Sequence, residues 1–427
     1  MNSVQMTEYI KNGLLDARLA HIYGDGAVGY QRSRYLGAIS EFAKAYGDER
    51  EISLFSVSGR SELSGNHTDH NHGSVIAASI DLDIIAVASA RDDAVIRLKS
   101  EGFSEDTVSF EEYTAPDEAL FGTSASLIAG MCDAFVKNGY MIGGFDAYTV
   151  SNVLKGSGLS SSAAFEDMIG TILNHMYNGG RVDNVEISKY AQYAENLFFG
   201  KPCGLMDQVA CAMGGIVTID FADPTSPIIE RLDVDMSAEG YKLCIVNTGG
   251  NHADLTDDYA SVPRDMKSVA ASLGAEVLRE ADEDKLIEAI PALREELGDR
   301  AILRSLHFFE ENKRVADQLK ALKAGDIEGF FAGVLASGRS SFCYLQNVYT
   351  DKNPREQGLS LALCLADIYL GGRRGAFRVH GGGFAGTIQA FVHNDDVRGF
   401  CELMDSAFGE GRCMVLGIRP EGAVKII

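Results

Sequence analysis

One segment constrains this chain more than any other. Leu154 to Ala164 (LKGSGLSSSAA) is a glycine- and serine-rich turn set directly before a run of helical periodicity. From Ala163 onward, Phe165, Met168, Ile169, Ile172, Leu173 and Met176 recur at helical spacing. Gly156 and Gly158 let the backbone approach an anion closely, and the helix start behind them offers free N–H groups and a favourable dipole. The hydroxyls of Ser160, Ser161 and Ser162 add donors, and one can ligate a metal ion, as a triphosphate with Mg2+ requires. The turn alone does not choose between that and an ordinary serine-capped helix start. No G-x-x-x-x-G-K-[ST] occurs, so a Walker-type site is excluded.

Around this turn the chain mixes strands and helices without strict alternation, which predicts the α+β class. The first fifty residues read as helical. Strands are expected at Glu51 to Ser58, Asp83 to Ala90, Ala94 to Lys99, Ile216 to Phe221, Lys242 to Asn247, Phe377 to Val379 and Thr387 to Val392. Arg91-Asp92-Asp93 reads as a turn between two of them. A helix from about Ile187 to Phe199 stops at Gly200-Lys201-Pro202, and residues 282 to 370 are dominated by helical spacing. With 427 residues, two domains are expected, divided near Ala222 to Ala238 where DPTSP sits. The net charge of -23 argues against nucleic acid or an anionic membrane as partner. No apolar run nears the roughly 20 residues of a membrane helix. The start lacks the pattern of a signal peptide, and eight scattered cysteines without a C-x-x-C pair read as reduced thiols of a cytoplasmic protein.

Three further segments carry chemistry. Gly59 to Gly73 (GRSELSGNHTDHNHG) gathers an arginine, two acids and three histidines after a strand, suiting either a polyol site or a metal site of His67, Asp69, His70 and His72. Arg378 to Gly386 (RVHGGGFAG) fits G-x-G-x-x-G but runs into a strand, which makes it a glycine turn rather than a dinucleotide motif. Pro202 to Gln208 (PCGLMDQ) sets Asp207 beside flexible backbone at Gly200 and Gly204, after a helix bearing Glu195.

Together these segments resemble the galactokinases of the GHMP kinase superfamily, in order and over nearly the whole chain. The family signature G-R-x-N-L-I-G-E-H-T-D-Y aligns with Gly59-Arg60, Gly65 and His67-Thr68-Asp69. The family's G-x-G-L-S-S-S-A loop is similar to Gly156 to Ala163, its C-G-I-M-D-Q to Cys203 to Gln208, and its last glycine motif to Gly375 to Gly386. A looser echo runs through Asn247, His252, Tyr259 and Arg264. The resemblance implies a GHMP fold, with an N-terminal mixed-sheet domain like ribosomal protein S5 (1–230) and a C-terminal ferredoxin-like domain (231–427). It implies transfer of the ATP γ-phosphoryl group to the C1 hydroxyl of galactose, with Asp207 as base and Arg60 as its charge partner. Gly156, Ser157, Gly158, Leu159, Ser160, Ser161 and Ser162 would cradle ATP, and Ser162 and Glu195 would hold Mg2+. Asn66, His67, Asp69, Gly204 and Tyr259 would contact the sugar. The expected protein is a monomer or weak homodimer.

The signature departs at four places: Glu62 stands for Asn, Ser64 for Ile, Asn66 for Glu and His70 for Tyr. The family's acid at position 66 contacts the sugar near C6, so Asn66 there would tolerate a C6 carboxylate. Galacturonate is therefore the alternative substrate, since plant galacturonate kinases also lack the acid and carry the His. No extra Arg or Lys in the loop pairs a carboxylate, which keeps galactose first. A silent sugar and ATP sensor is the alternative from another class, but such sensors lack the Ser162-Ala163 pair present here. A metal-dependent hydrolase built on the His67 to His72 cluster is the third.

Overall fold

Period-two alternation along β1 (Ser53–Ser64) builds two cores, one on each face of a sheet. Leu54 packs with Met6, Ile10, Tyr35 and Phe42 of an N-terminal helical layer. Phe55 and Val57 point the other way, to Ile169 and Leu173 of the helix Ser161–Tyr177. β2 (Ser74–Ala90) repeats the pattern: Ile85 and Val87 join Leu54, whereas Ile84, Ala86 and Ala88 join Phe55. The computed structural model describes residues 1–112, 115–153, 158–249 and 255–427, with Thr256 described by its backbone alone.

The remaining strands are β3 (Val95–Ser100), β4 (Glu105–Ser109), β5 (Phe145–Ser151), β6 (Ile216–Asp220), β7 (Ile228–Leu232), β8 (Tyr241–Asn247), β9 (Gly375–Val379), β10 (Thr387–His393), β11 (Cys413–Leu416) and β12 (Val424–Lys425). The first sheet runs β12-β1-β2-β5-β3-β4, with β6 on the other half of the long β2 and β7 beside β6. Its β3–β5 pair is parallel and its other pairs antiparallel, so it is mixed. The second sheet, β11-β8-β10-β9, is antiparallel throughout. The α+β expectation agrees with this architecture.

Two expectations need correction, and a third holds with a change of winding. The Arg91-Asp92-Asp93 turn does not close a hairpin, because β5 lies between β2 and β3. Asp146 on β5 explains the insertion: it is fully buried and draws Arg50, Arg91 and Arg97 around it. The helix expected from about Ile187 to Phe199 is present without a break, but its winding changes. It runs Asn184–Tyr193 and then widens into a π-turn, Ala194–Phe198, before Gly200 ends it with φ +77°. A division after residue 230 cuts through β7, and the tail returns: β12 pairs with β1, and Ile80 bridges Ile418. Sheet membership changes between Leu232 and Tyr241.

Asp83 of β2 ties these layers together. Fully buried, it accepts from Arg34 at 2.7 Å, Arg419 at 3.1 Å, and the hydroxyls of Tyr23 and Ser56 at 2.5 Å each. Burial alone would raise its carboxyl, but the two arginines outweigh it and hold the group below its usual range. Among the described residues no helix is long and apolar enough to cross a membrane.

Candidate active site

The end of β1 and the start of the helix Ser161–Tyr177 meet at a close backbone contact. The Arg60 N–H donates to the Leu159 carbonyl at 3.1 Å, and a Cβ on Gly59 would collide with that same oxygen. This approach carries the Arg60 guanidinium to Asp207, on the first turn of the helix Met206–Met213, with Nε and Nη2 both 2.7 Å from Oδ1. Arg60 also donates to the Gly158 carbonyl, and the Ser160 hydroxyl donates to the other Asp207 oxygen at 2.6 Å. Arg60 is almost fully buried, whereas the Asp207 side chain keeps 36% of its surface exposed. Burial pushes the Asp207 carboxyl up, but Arg60 and the Ser160 hydroxyl overcome it, so the group sits below the ordinary carboxylate range. The result is an ionised, accessible carboxylate beside the turn.

The turn itself is partly described. Gly156 and Ser157 lie outside the described residues, as does His252. Gly158 has φ +72°, which glycine adopts freely. Leu159 is sealed in the core, so only its backbone borders the turn. The Ser160 hydroxyl is committed to Asp207, a link from turn to acid that sequence spacing did not reveal. Ser161 and Ser162 open the helix.

The second wall is the loop after β1. The Asp69 carboxylate lies against Gly204, where a Cβ would come within 2.9 Å of Oδ2. His67 donates from Nε2 to the Gly382 carbonyl at 2.9 Å, and burial lowers its pKa to about 4, so the ring is neutral. The Tyr259 hydroxyl donates to the Gly383 carbonyl at 2.7 Å, and its ring covers Gly382, where a Cβ would clash. The glycine turn is thus pinned by the loop on one side and by the helix Thr256–Ser272 on the other. Five described non-glycine residues have left-handed backbone: His67, His72, Ser160, Gln346 and Phe384. All five lie in or beside these walls, which is where backbone strain tends to concentrate.

Asn66 does not have the open position expected of a sugar contact. It is fully buried, and its amide is saturated. Its two N–H groups go to Glu62 at 3.0 Å and the Gly381 carbonyl at 2.8 Å. Its oxygen accepts from Ser341 at 3.1 Å and Asn347 at 2.8 Å, which fills both lone pairs. Asn66 fastens the loop to the C-terminal half. The loop histidines form no metal site among the described residues either; the one group there with clustered ligand atoms is Cys244 on β8, Cys401 on the helix Val397–Phe408 and Cys413 on β11.

Behind the turn sits an acidic cluster. Glu195, on the π-turn and nearly sealed, meets Lys201 at 2.8 Å and Gln208 at 2.9 Å, and Gln208 reaches Glu166 at 3.3 Å. One oxygen each of Glu166 and Gln208 is sealed without a partner. Burial and the nearby Glu195 hold the Glu166 carboxyl well above its usual range. Ser162 lies one helical turn before Glu166, on the same face. A hydroxyl and a carboxylate are hard oxygen donors of the kind Mg2+ takes, and Glu195 already draws the cationic Lys201, so the residues fit such an ion. Next to Glu166, both oxygens of Asp167 are sealed without partners, and burial keeps that acid well above its usual range as well.

The sequence reading missed Asn347, Ser341 and Arg378 as parts of this region. Arg378 stood inside a quoted motif, and its charge one residue before a buried strand end was the available signal. Asn347 and Ser341 lie in a stretch of helical periodicity and carried none.

Comparison with known proteins places this geometry among relatives. The GHMP kinases N terminal domain family matches residues 121–215, and the galactokinase galactose-binding signature matches residues 40–90. Galactokinase of Streptomyces coelicolor is 31% identical over 87% of this chain and 92% of its own length. That of Lactobacillus helveticus is 32% identical over 84% and 90%, and that of Homo sapiens 31% over 81% and 84%. The crystal structure of Lactococcus lactis galactokinase complexed with galactose superposes with a TM-score of 0.74 at 25% identity, covering 90% of this chain and 98% of that one. Methanococcus jannaschii mevalonate kinase shares the fold, with a TM-score of 0.59 at 16% identity over 87% and 98%.

Proposed function

This chain belongs to the galactokinase family of the GHMP kinases, and we propose that it transfers the γ-phosphoryl group of ATP to the C1 hydroxyl of galactose, giving galactose 1-phosphate. The observation that carries this reading is the Arg60–Asp207 pair, set between the phosphate turn and the sugar-side loop. Phosphoryl transfer asks mainly for alignment and for neutralisation of moving charge.

In this reading the sugar lies against His67, Asp69, Gly204 and Tyr259, with its C1 hydroxyl toward the exposed part of Asp207. That carboxylate accepts a hydrogen bond from the hydroxyl, orients it for in-line attack and takes its proton as the bond to phosphorus forms. Arg60 keeps Asp207 ionised and offsets negative charge as the phosphoryl group moves. The turn from Gly156 to Ser162 surrounds the phosphates of ATP with backbone N–H groups and hydroxyls. Ser162 and Glu195 would hold Mg2+, which when bound neutralises phosphate charge. Glu195 would release Lys201 to do so. The Gly381 to Gly386 turn closes the sugar side.

The two sheets mark two lobes that meet at this site. We infer a cytoplasmic setting and a monomer or weak homodimer. The test is a coupled assay with ATP and Mg2+ over galactose, galacturonate, N-acetylgalactosamine, arabinose and glucose. Galactose is expected to be the preferred acceptor, and failure to phosphorylate any of the five would overturn the reading.

A further inference from the structure

We propose that Glu62 is a sugar-facing carboxyl of this enzyme, supplied from strand β1, that binds hydroxyls of a neutral hexose and turns away sugars carrying a carboxylate. The inference rests on the kinase reading above and deepens it. Positions 62 and 66 hold an acid and an amide in the reverse order from the signature, and here the two side chains touch at 3.0 Å. The pair has therefore kept its composition and exchanged its places. The consequence is asymmetric. Asn66 spends all four of its hydrogen-bonding positions on the protein and has none left for a ligand.

Glu62 does have one left. Its Oε1 receives Asn66 and, at 3.0 Å, the fully buried Arg378. Its Oε2 accepts no hydrogen bond among the described residues, although the residue as a whole keeps only 5% of its surface exposed. Arg60 and Glu62 are two apart on β1, so alternation directs both to one side of the strand, while Ser61 turns to His380 and Gln389. Burial raises the Glu62 carboxyl above its usual range, with Arg378 and Arg60 pulling against that rise and Asp69 close enough to add to it. A carboxyl held at one oxygen by an arginine and an amide, with the other free, is already oriented before a ligand arrives. It loses little freedom on accepting a hydroxyl.

The test is steady-state kinetics on the full chain with galactose and with galacturonate. Wild type is expected to favour galactose by at least about a hundredfold in kcat/KM, since an anionic sugar meets a fixed acid. Glu62→Gln is expected to raise KM for galactose about 10- to 100-fold, the range for a hydrogen bond to a charged group, with kcat and the KM for ATP little changed. It should also narrow the preference against galacturonate. Because Glu62→Gln leaves Arg378 without its counter-charge and can fail to fold, Glu62→Asn/Asn66→Glu serves as the second variant. It keeps one acid and one amide, and it is expected to recover most of the galactose affinity that Glu62→Asn alone loses. A wild-type KM for galactose in Glu62→Gln overturns the proposal, as does wild-type enzyme that accepts galacturonate as well as galactose. Equal loss of ATP and galactose affinity, tracking a lowered melting temperature, assigns Glu62 to the scaffold and overturns it too. An enzyme silent on every sugar instead sinks the kinase reading itself.

Discussion

Asp83 and Asp207 are the same chemical device in two places. Each is an aspartate held below its usual pKa against burial by arginine, with hydroxyl donors completing its shell. Asp83 spends both oxygens on four partners and is closed off in the sheet. Asp207 has an arginine and one hydroxyl, and more than a third of its side chain is open. What separates scaffold from chemistry is therefore the accessible remainder of the carboxylate, not the ion pair. Asp167 supplies the opposite limit: a buried acid with no partner among the described residues, its carboxyl pushed well above the usual range by burial alone.

The sharpest way to break this comparison is Asp207→Ala. It is expected to lower kcat by about 10³–10⁴-fold, ~4–5.5 kcal/mol of barrier. ATP binding by calorimetry should stay near wild type, while the unfolding midpoint should fall by less than in Asp83→Asn, because solvent already reaches the Asp207 side of Arg60. Because the Asp207 pKa is lowered, wild-type activity should hold through neutral pH and fall only as acid reaches below the ordinary carboxylate range. Retained turnover in Asp207→Ala would place the chemistry elsewhere.

Asp83→Asn comes next and should do the reverse. Leaving Arg34 and Arg419 buried without their acid is expected to cost about 3–5 kcal/mol of stability, measured by urea titration. The fraction that remains folded should turn over normally. The Asp83 pKa is also lowered, so its contribution is present above the unfolded value of about 4 and is lost as pH falls through the folded one. An unchanged urea midpoint would show that the pair is dispensable.

The smallest effect belongs to Asp167→Ala, which removes an unpartnered acid and is expected to gain ~1 kcal/mol near neutral pH. The sign follows from its raised pKa. An acid raised on folding favours the native state below about pH 4 and loses that advantage as pH rises, so the gain should shrink toward acid pH. A variant less stable at pH 7 than wild type would mean that Asp167 has a partner in solution.

How much of this was legible beforehand divides along the same line. Arg60, Asp207, Ser162 and Glu195 stand in compact motifs, and their roles were expected from the order of those motifs taken together rather than from any one alone. The α+β class and most strand positions followed from alternation within single segments. The insertion of β5 between β2 and β3 did not, because sheet order is a long-range property: it reflects where Asp146 finds Arg50, Arg91 and Arg97, which come from separate segments. Asn66 was misjudged for a similar reason. Its letter in the motif suggested an open amide, whereas its role is fixed by Ser341, Asn347 and Gly381, all far along the chain. The exchange with Glu62 was visible as two separate departures and became one fact only when the side chains met.

The returning tail has a consequence for how this protein is made. β12 closes the edge of β1, and Arg419 is one of the two cations that neutralise Asp83, so the N-terminal half is completed by residues synthesised more than three hundred positions later. While the ribosome is still translating, the N-terminal sheet carries an open strand edge and an under-neutralised buried acid. Its final locking must wait until residues 419–425 leave the ribosome, and a chain stopped before Gly417 should remain open to proteases in its first half, not its second.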